Sequence, residues 1–215
     1  MNAPSQPIPQ EDTPKSGKML SAMVGLGLLC ALLIVSIYEG TSERRAFLKA
    51  EALEKAIFQV IPNTKKMEPM LIENGTLIPF DQKKQGLTRI YVGYNDEGNM
   101  SGYALECSGQ GYADIIKILI GYDPKTETVV GFHVLESKET PGLGDKIEKD
   151  ENFLANFIAL DVSWDKEKKQ LNNAVITVKN GEKNHPWEID GITGATISSR
   201  AIGKIINDSM EKVNQ

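Results

Sequence analysis

The chain has 215 residues, 40% hydrophobic and 25% charged, with a formal net charge of −5. That is room for one folded domain plus accessories, and the acidic balance argues against nucleic acid as a partner, because no basic stripe exists to neutralise phosphates. The two cysteines, Cys30 and Cys107, form no Cys-x-x-Cys pair, and His133 and His185 have no metal-ligand spacing, so zinc, iron–sulfur clusters and an internal disulfide are not expected.

Residues 1–18 hold Pro4, Pro7, Pro9 and Pro14 among polar residues and read as a disordered tail. Met19–Tyr38 carries no charge, and its length of about 30 Å as a helix matches a bilayer's hydrocarbon core. A cleaved signal peptide has a shorter apolar run, of about 7–15 residues, and Ser36–Glu39 is a poor cleavage site, so a retained single transmembrane helix is expected. Gly25 and Gly27 are two apart and form no small-xxx-small pair. Lys15 and Lys18 precede the helix, and Arg44, Arg45, Lys49 and Lys55 follow it. A plain count of positive charge therefore places the C-terminal part in the cytoplasm.

Residues 39–62 are expected to form a stalk helix. Ala46, Ala50, Leu53, Ile57 and Val60 share one face, Thr41 or Ser42 caps it and Pro62 closes it. Whether this helix spaces the membrane from the domain or packs on the domain is open from sequence. The remainder, 63–215, reads as α+β, with helices covering one face of an antiparallel sheet. Asn74-Gly75 marks a turn. Thr88–Tyr94 and Met100–Cys107 form a hairpin around Asn95–Asn99, and Gly109-Gln-Gly111 interrupts. Asp114–Tyr122 and Thr126–Leu135 form a second hairpin around Asp123-Pro124-Lys125. Ile147–Leu160 is predicted helical, with Phe153, Leu154 and Phe157 on one side, and Ala174–Val178 is a strand. Ala201, Ile202, Ile205, Ile206, Ser209, Met210 and Val213 trace one face of a terminal helix.

Three stretches carry candidate chemistry. Asp190-Gly-Ile-Thr-Gly-Ala-Thr196 is a loop opening into the terminal helix. Helix starts offer unpaired N–H groups and the positive end of a dipole, which suits a phosphate. Read alone, Thr193, Gly194, Ala195 and Thr196 are ordinary cap and turn residues. In Glu136–Lys146, Pro141, Gly142 and Gly144 impose an irregular backbone, and Leu143 stands between two glycines, free to lie against a flat ring. The bland reading is a connecting loop with Glu139 and Asp145 in solvent. Gly109–Asp123 holds Tyr112, which suits a core aromatic as well as a ligand contact.

Asp-x-x-Thr-Gly-Ala-Thr over residues 190–196 resembles the flavinylation motif of proteins that carry FMN covalently on threonine. Glu139-Thr-Pro-Gly-Leu-Gly144 resembles the second signature of the same FMN-binding domain family, and Gly109–Asp123 its glycine-rich turn and strand. One departure is that Lys138 precedes Glu139, where relatives often carry His. Behind one membrane anchor, the chain from residue 19 onward is similar to the G subunits of Rnf-type ferredoxin:NAD oxidoreductases, and more distantly to the C subunits of sodium-pumping NADH:quinone oxidoreductases. The resemblance implies covalent FMN on Thr196, installed by a separate flavin transferase to which Asp190 and Thr193 help present the loop. It implies that Glu139, Thr140, Leu143, Gly144 and Tyr112 line the flavin, that the phosphodiester meets the N–H groups of Ile197–Ser199, and that Lys146 or Arg200 adds counter-charge. It also implies an electron-carrying subunit without substrate turnover of its own, partnered by other membrane subunits of a Na⁺ or H⁺ pump. Its flavin domain then faces the extracytoplasmic side, against the charge count. The competing readings are the C subunit of a sodium-translocating NADH:quinone reductase, a membrane-anchored binding or regulatory module in which Thr196 is only a cap, and a structural anchor whose stalk helix organises other subunits.

Overall fold

The computed structural model describes residues 16–73, 76–81, 84 and 88–214. The expected turn at Asn74-Gly75 and most of the expected tail lie outside them. The chain divides into two units, Met1–Lys49 and Ala50–Gln215.

In the first unit, α1 (Ser16–Gly40) has no buried residue, and it is long and apolar enough to cross a membrane. It starts three residues earlier than the sequence pattern indicates. At its end the Thr41 hydroxyl donates to Ile37 O at 2.8 Å and the Ser42 hydroxyl to Glu39 O at 2.7 Å, and α2 (Ser42–Val60) begins. The Arg45 guanidinium lies 3.9 Å from the Tyr38 ring centre and donates to Tyr38 O at 2.8 Å. An aromatic ring with an adjacent cation suits the polar boundary of a bilayer.

The second unit is α+β. Its main sheet has the order β2-β1-β3-β4-β5-β6-β7, all pairs antiparallel. Here β1 is Lys66–Glu73, β2 Thr76–Pro79, β3 Thr88–Tyr94, β4 Met100–Gln110, β5 Ile115–Asp123, β6 Thr128–Glu136 and β7 Leu160–Asp161. Two short pairs follow: β8 (Trp164–Asp165) with β9 (Gln170–Leu171), and β10 (Ile176–Val178) parallel to β11 (Glu188–Asp190). The last element is α4 (Thr196–Asn214).

Both faces of the sheet are covered, not one. Ala56, Ile57, Val60 and Ile61 bury themselves on one face against Tyr91, Ala104 and Leu119, while Ala46 and Ala50 stay exposed. The end of α2 is therefore core, and its amphipathic face is used only in the last turns. Gly121 and Gly131 make this possible. A Cβ at either would stand 1.9 or 2.2 Å from Val60 O, so only glycine admits the helix end. The other face packs Ile202, Ile205, Ile206 and Met210 of α4 against Ile90, Leu105, Ile116, Ile118 and Ile120. Gly109 does not interrupt β4. It is the spot where α4 comes closest, since a Cβ there would meet Ile205 Cγ1 at 2.5 Å.

The helix expected over 147–160 is replaced by a 3₁₀ turn, Gly144–Glu148, and a short helix α3, Glu151–Ala155. Asp150 restarts the helix by accepting from Phe153 N at 3.0 Å, a side-chain cap that ends one element and begins another. Phe153 and Phe157 then pack on Phe132 of β6, with ring centres 6.2 and 4.2 Å away.

Candidate functional site

The three singled-out stretches meet at one end of the main sheet. Tyr112 sits in the β4–β5 turn, closed by Gly111 N donating to Asp114 O at 2.9 Å. The loop after β6 carries Glu139 to Leu143, where Leu143 N donates to Thr140 O at 3.1 Å and Gly142 takes φ +77°. Lys138 holds the two stretches together through Asp114 at 2.6 Å, and this partner, with the Ile115 N–H, keeps the Asp114 carboxyl below the usual carboxylate range.

The third stretch is built from behind. The Asp190 carboxylate accepts from Gly181 N at 2.7 Å. Buried Asn156 grips the Asp190 backbone at both ends, accepting from its N–H at 3.0 Å and donating to its C=O at 3.3 Å. The Asn156 carbonyl also accepts from Lys183 at 3.0 Å, and burial lowers the Lys183 pKa. Ser199, fully buried, accepts from Ile192 N at 3.1 Å and donates to Ala195 O at 2.9 Å, so it pins both ends of the 192–195 turn. Gly194 takes φ +85°, a conformation that suits glycine.

This frame places Thr196 in the first turn of α4, exposed, its hydroxyl without a hydrogen-bond partner among the described residues. Ala195 precedes it and has no side-chain oxygen to cap the helix. Among the described residues no side chain takes the N–H groups of Thr196, Ile197 or Ser198. The Ser199 N–H is spent on Ala195 O at 2.9 Å, so the free set is 196–198 and not the expected 197–199.

Tyr112, Glu139, Thr140, Leu143, Gly144, Gly194, Ala195, Thr196, Ile197 and Ser198 line one cavity of about 350 Å³, within the range of small-molecule sites. Eight of the ten residues singled out from sequence are in this lining; Thr193 and Asp190 are not. Thr193 is exposed beside it, and Asp190 braces the loop from below. Lys146 and Arg200, the expected counter-charges, do not line it either. Glu139 is 5% exposed, not solvated as an ordinary loop glutamate would be. Tyr112, Leu143 and Ile197 are 65, 51 and 56% exposed around the cavity, an unusual concentration of bare apolar surface. Free N–H groups, an unpartnered hydroxyl and apolar walls fit a phosphate joined to a flat ring.

Sequence reasoning missed Ser198, Ser199 and Asn156. The two serines looked like generic helix-start residues, and Asn156 fell inside a predicted helix. A larger cavity of about 650 Å³ lies elsewhere, among Leu105, Cys107, Arg89, Lys117 and Lys212. No helix start opens into it, and burial pushes its thiol, Cys107, up to about 11, which leaves it protonated and inert.

Residues 111–211 match the family model described as FMN-binding domain, a span that holds every residue of the cavity. The chain is 34% identical over 178 residues to the G subunit of the ion-translocating oxidoreductase complex of Haemophilus influenzae strain PittEE, covering 82% of this chain and 80% of that one. It is 29% identical over 203 residues to the corresponding G subunit of Methanosarcina acetivorans, covering 94% and 97%. In fold it resembles the crystal structure of Shewanella oneidensis NqrC, with a TM-score of 0.56 at 21% identity over 70% of this chain and 80% of that one.

Proposed function

Because the chain belongs to the family of the G subunits of ion-translocating oxidoreductase complexes, we propose that it carries FMN covalently on Thr196. It acts as a membrane-anchored electron-transfer subunit of a redox-driven ion pump. The observation that carries the attachment is the exposed, unpartnered Thr196 hydroxyl on the first turn of α4, inside the one cavity where the three motif stretches meet.

When bound, FMN supplies one-electron chemistry that no side chain here offers. The chain's own residues bind and orient. The N–H groups of Thr196, Ile197 and Ser198 would hold the phosphate, and the dipole of α4 would favour its negative charge. Leu143, Tyr112 and Ile197 give the ring apolar walls. Thr196 has no activating base: the only carboxylate in the cavity lining, Glu139, already accepts three hydrogen bonds. A separate flavin transferase is therefore required for maturation. Asp190, by fixing the base of the loop, and Thr193, on its exposed side, present it to that enzyme. The flavin domain, taken as residues 63–215 with the end of the 39–62 helix in its core, lies on the extracytoplasmic side, and the subunit turns over no substrate alone. Its electrons pass between neighbouring subunits of a complex that links ferredoxin and NAD.

The test is the intact mass and in-gel fluorescence of the full chain coexpressed with a flavin transferase. Wild type and Thr193→Ala are expected to gain one FMN less water, and Thr196→Ala none. Covalent flavin on Thr196→Ala would refute the assignment.

A further inference from the structure

We propose that Glu139 is the positioning residue of this site. Its carboxylate does not serve as a contact to the cofactor. It ties the three stretches together and sets the rotation of the first turn of α4. This rests on the reading of Thr196 as the attachment point.

A carboxylate with so little exposure needs a full set of donors. Oε1 accepts from the N–H groups of Tyr112 at 2.9 Å and Ala113 at 3.0 Å, and Oε2 accepts from the Ser198 hydroxyl at 2.5 Å. These partners lie 27, 26 and 59 residues away in sequence, so one side chain joins the β4–β5 turn, the loop after β6 and the terminal helix. No cation lines the cavity, so geometry, and not an ion pair, fixes the group.

The backbone on both sides is kept bare for it. A Cβ at Gly111 would stand 2.5 Å from Oε1, and one at Gly144 2.6 Å from Oε2 and 3.0 Å from the Ser198 hydroxyl. The requirement for glycine at 111 and 144 is thus partly a requirement for Glu139. Gly144 does not carry a positive φ, so conformational freedom alone does not explain it.

The consequence falls on Thr196. Successive helix residues are rotated by about 100°, so residues two apart point about 200° from each other. Ser198 is buried, 3% exposed, with its hydroxyl drawn inward by Glu139. Fixing Ser198 inward turns Thr196 toward the exposed rim of the cavity, where a transferase reaches it. Tyr112, held by its own backbone N–H to Glu139, is fixed at the opposite wall.

The experiment is coexpression of the full chain with a flavin transferase as wild type, Glu139→Ala, Glu139→Gln and Ser198→Ala. The covalent flavin fraction is read by intact mass, and ring immobilisation by the fluorescence anisotropy of the bound flavin. Glu139→Ala is expected to load at least ten-fold less flavin, with lowered anisotropy in what remains. Glu139→Gln is expected to load within about two-fold of wild type, because its amide oxygen still accepts from Tyr112 and Ala113 and its NH₂ group donates to Ser198. Ser198→Ala removes one tie without emptying the core; it is expected to load several-fold less and to lower the anisotropy, and it decides the matter if Glu139→Ala does not fold. Wild-type loading and anisotropy in Glu139→Ala or in Ser198→Ala overturn the proposal, as does a Glu139→Gln chain that behaves like Glu139→Ala. A wild-type chain that gains no covalent flavin counts instead against the attachment at Thr196.

Discussion

Asn156 offers a quantitative test of how the attachment loop is held. Its side chain donates to Phe153 O at 2.9 Å and Asp190 O at 3.3 Å, and accepts from Asp190 N and Lys183 Nζ, both at 3.0 Å. Two donors on one end and carbonyls at the other fix which end is oxygen. Its NH₂ group also donates to Asn152 O at 3.3 Å, and truncation to alanine removes all five bonds. Lys183 is only partly buried and regains water, and Phe153 O keeps the Asn156 N–H at 3.1 Å, so the Asp190 N–H and C=O are the groups left without this partner. A buried group left unpaired costs roughly 1–3 kcal/mol. With partial rehydration at Asp190, the expected loss is about 2–4 kcal/mol for Asn156→Ala. For a chain of this size that is a fall in melting temperature of roughly 4–16 °C. Asn156→Asp is not a rescue. It keeps the acceptor but sets carboxylate oxygen against three carbonyls. The assay is thermal unfolding of the detergent-solubilised full chain. A melting temperature for Asn156→Ala within about 2 °C of wild type would show that the clamp does not hold the loop.

Gly121→Ala places a methyl 1.9 Å from Val60 O and 2.6 Å from Val60 C, both backbone atoms at the seated end of α2. The expected cost is at least about 1–3 kcal/mol, the range for overpacking, and an unshifted thermal melt refutes the close approach. For membrane orientation, protease added outside spheroplasts is expected to digest the flavin domain; protection there supports the plain charge count around α1 and places the domain in the cytoplasm.

The parts of the fold that were legible in sequence are those with a strong local period. The face of α4 from Ala201 to Met210 repeats at helical spacing, and β3 and β5 are dense in β-branched and aromatic residues between clear turns. The membrane helix was legible because its apolar run is uncharged over the full thickness of a bilayer core, longer than a signal peptide needs. What was not legible depends on contacts distant in sequence. β1 contains Pro69, a residue that usually argues against a strand, yet it pairs with β3 through Pro69↔Tyr91. The stretch 147–160 has helical periodicity, but Asp150 caps within it and Phe153 and Phe157 answer to Phe132 on β6. β11, three residues long, carries no such signal, whereas β10 falls inside the strand expected over 174–178; α4 braces the segment, as Asn207 bonds the Val175 backbone at 2.8 and 2.9 Å and Thr177 donates to Ser199 O at 3.2 Å. The cavity was largely legible because its motifs are unusual residue combinations. Its supporting residues, Asn156, Ser198 and Ser199, are common types whose role appears only once their partners are near.

The difference between the expected and observed surroundings of Thr196 bears on why attachment there would be covalent. Lys146 and Arg200 do not line the cavity, and the one charged residue that does, Glu139, is an acid whose oxygens are spent on protein donors. Freely exchanging phosphate ligands are commonly held by fixed cations beside the helix N–H groups. Here the first turn of α4 supplies N–H groups and a dipole alone, and such interactions are worth only about 0.3–2 kcal/mol each. A non-covalent nucleotide on this surface would dissociate readily. A bond to the Thr196 hydroxyl would remove that requirement, and the phosphodiester would need only orientation, which three N–H groups can provide. The absence of cations from the lining is thus what a covalently loaded site permits. It also leaves the apolar walls at Tyr112, Leu143 and Ile197 exposed toward whatever neighbouring protein exchanges electrons with the ring.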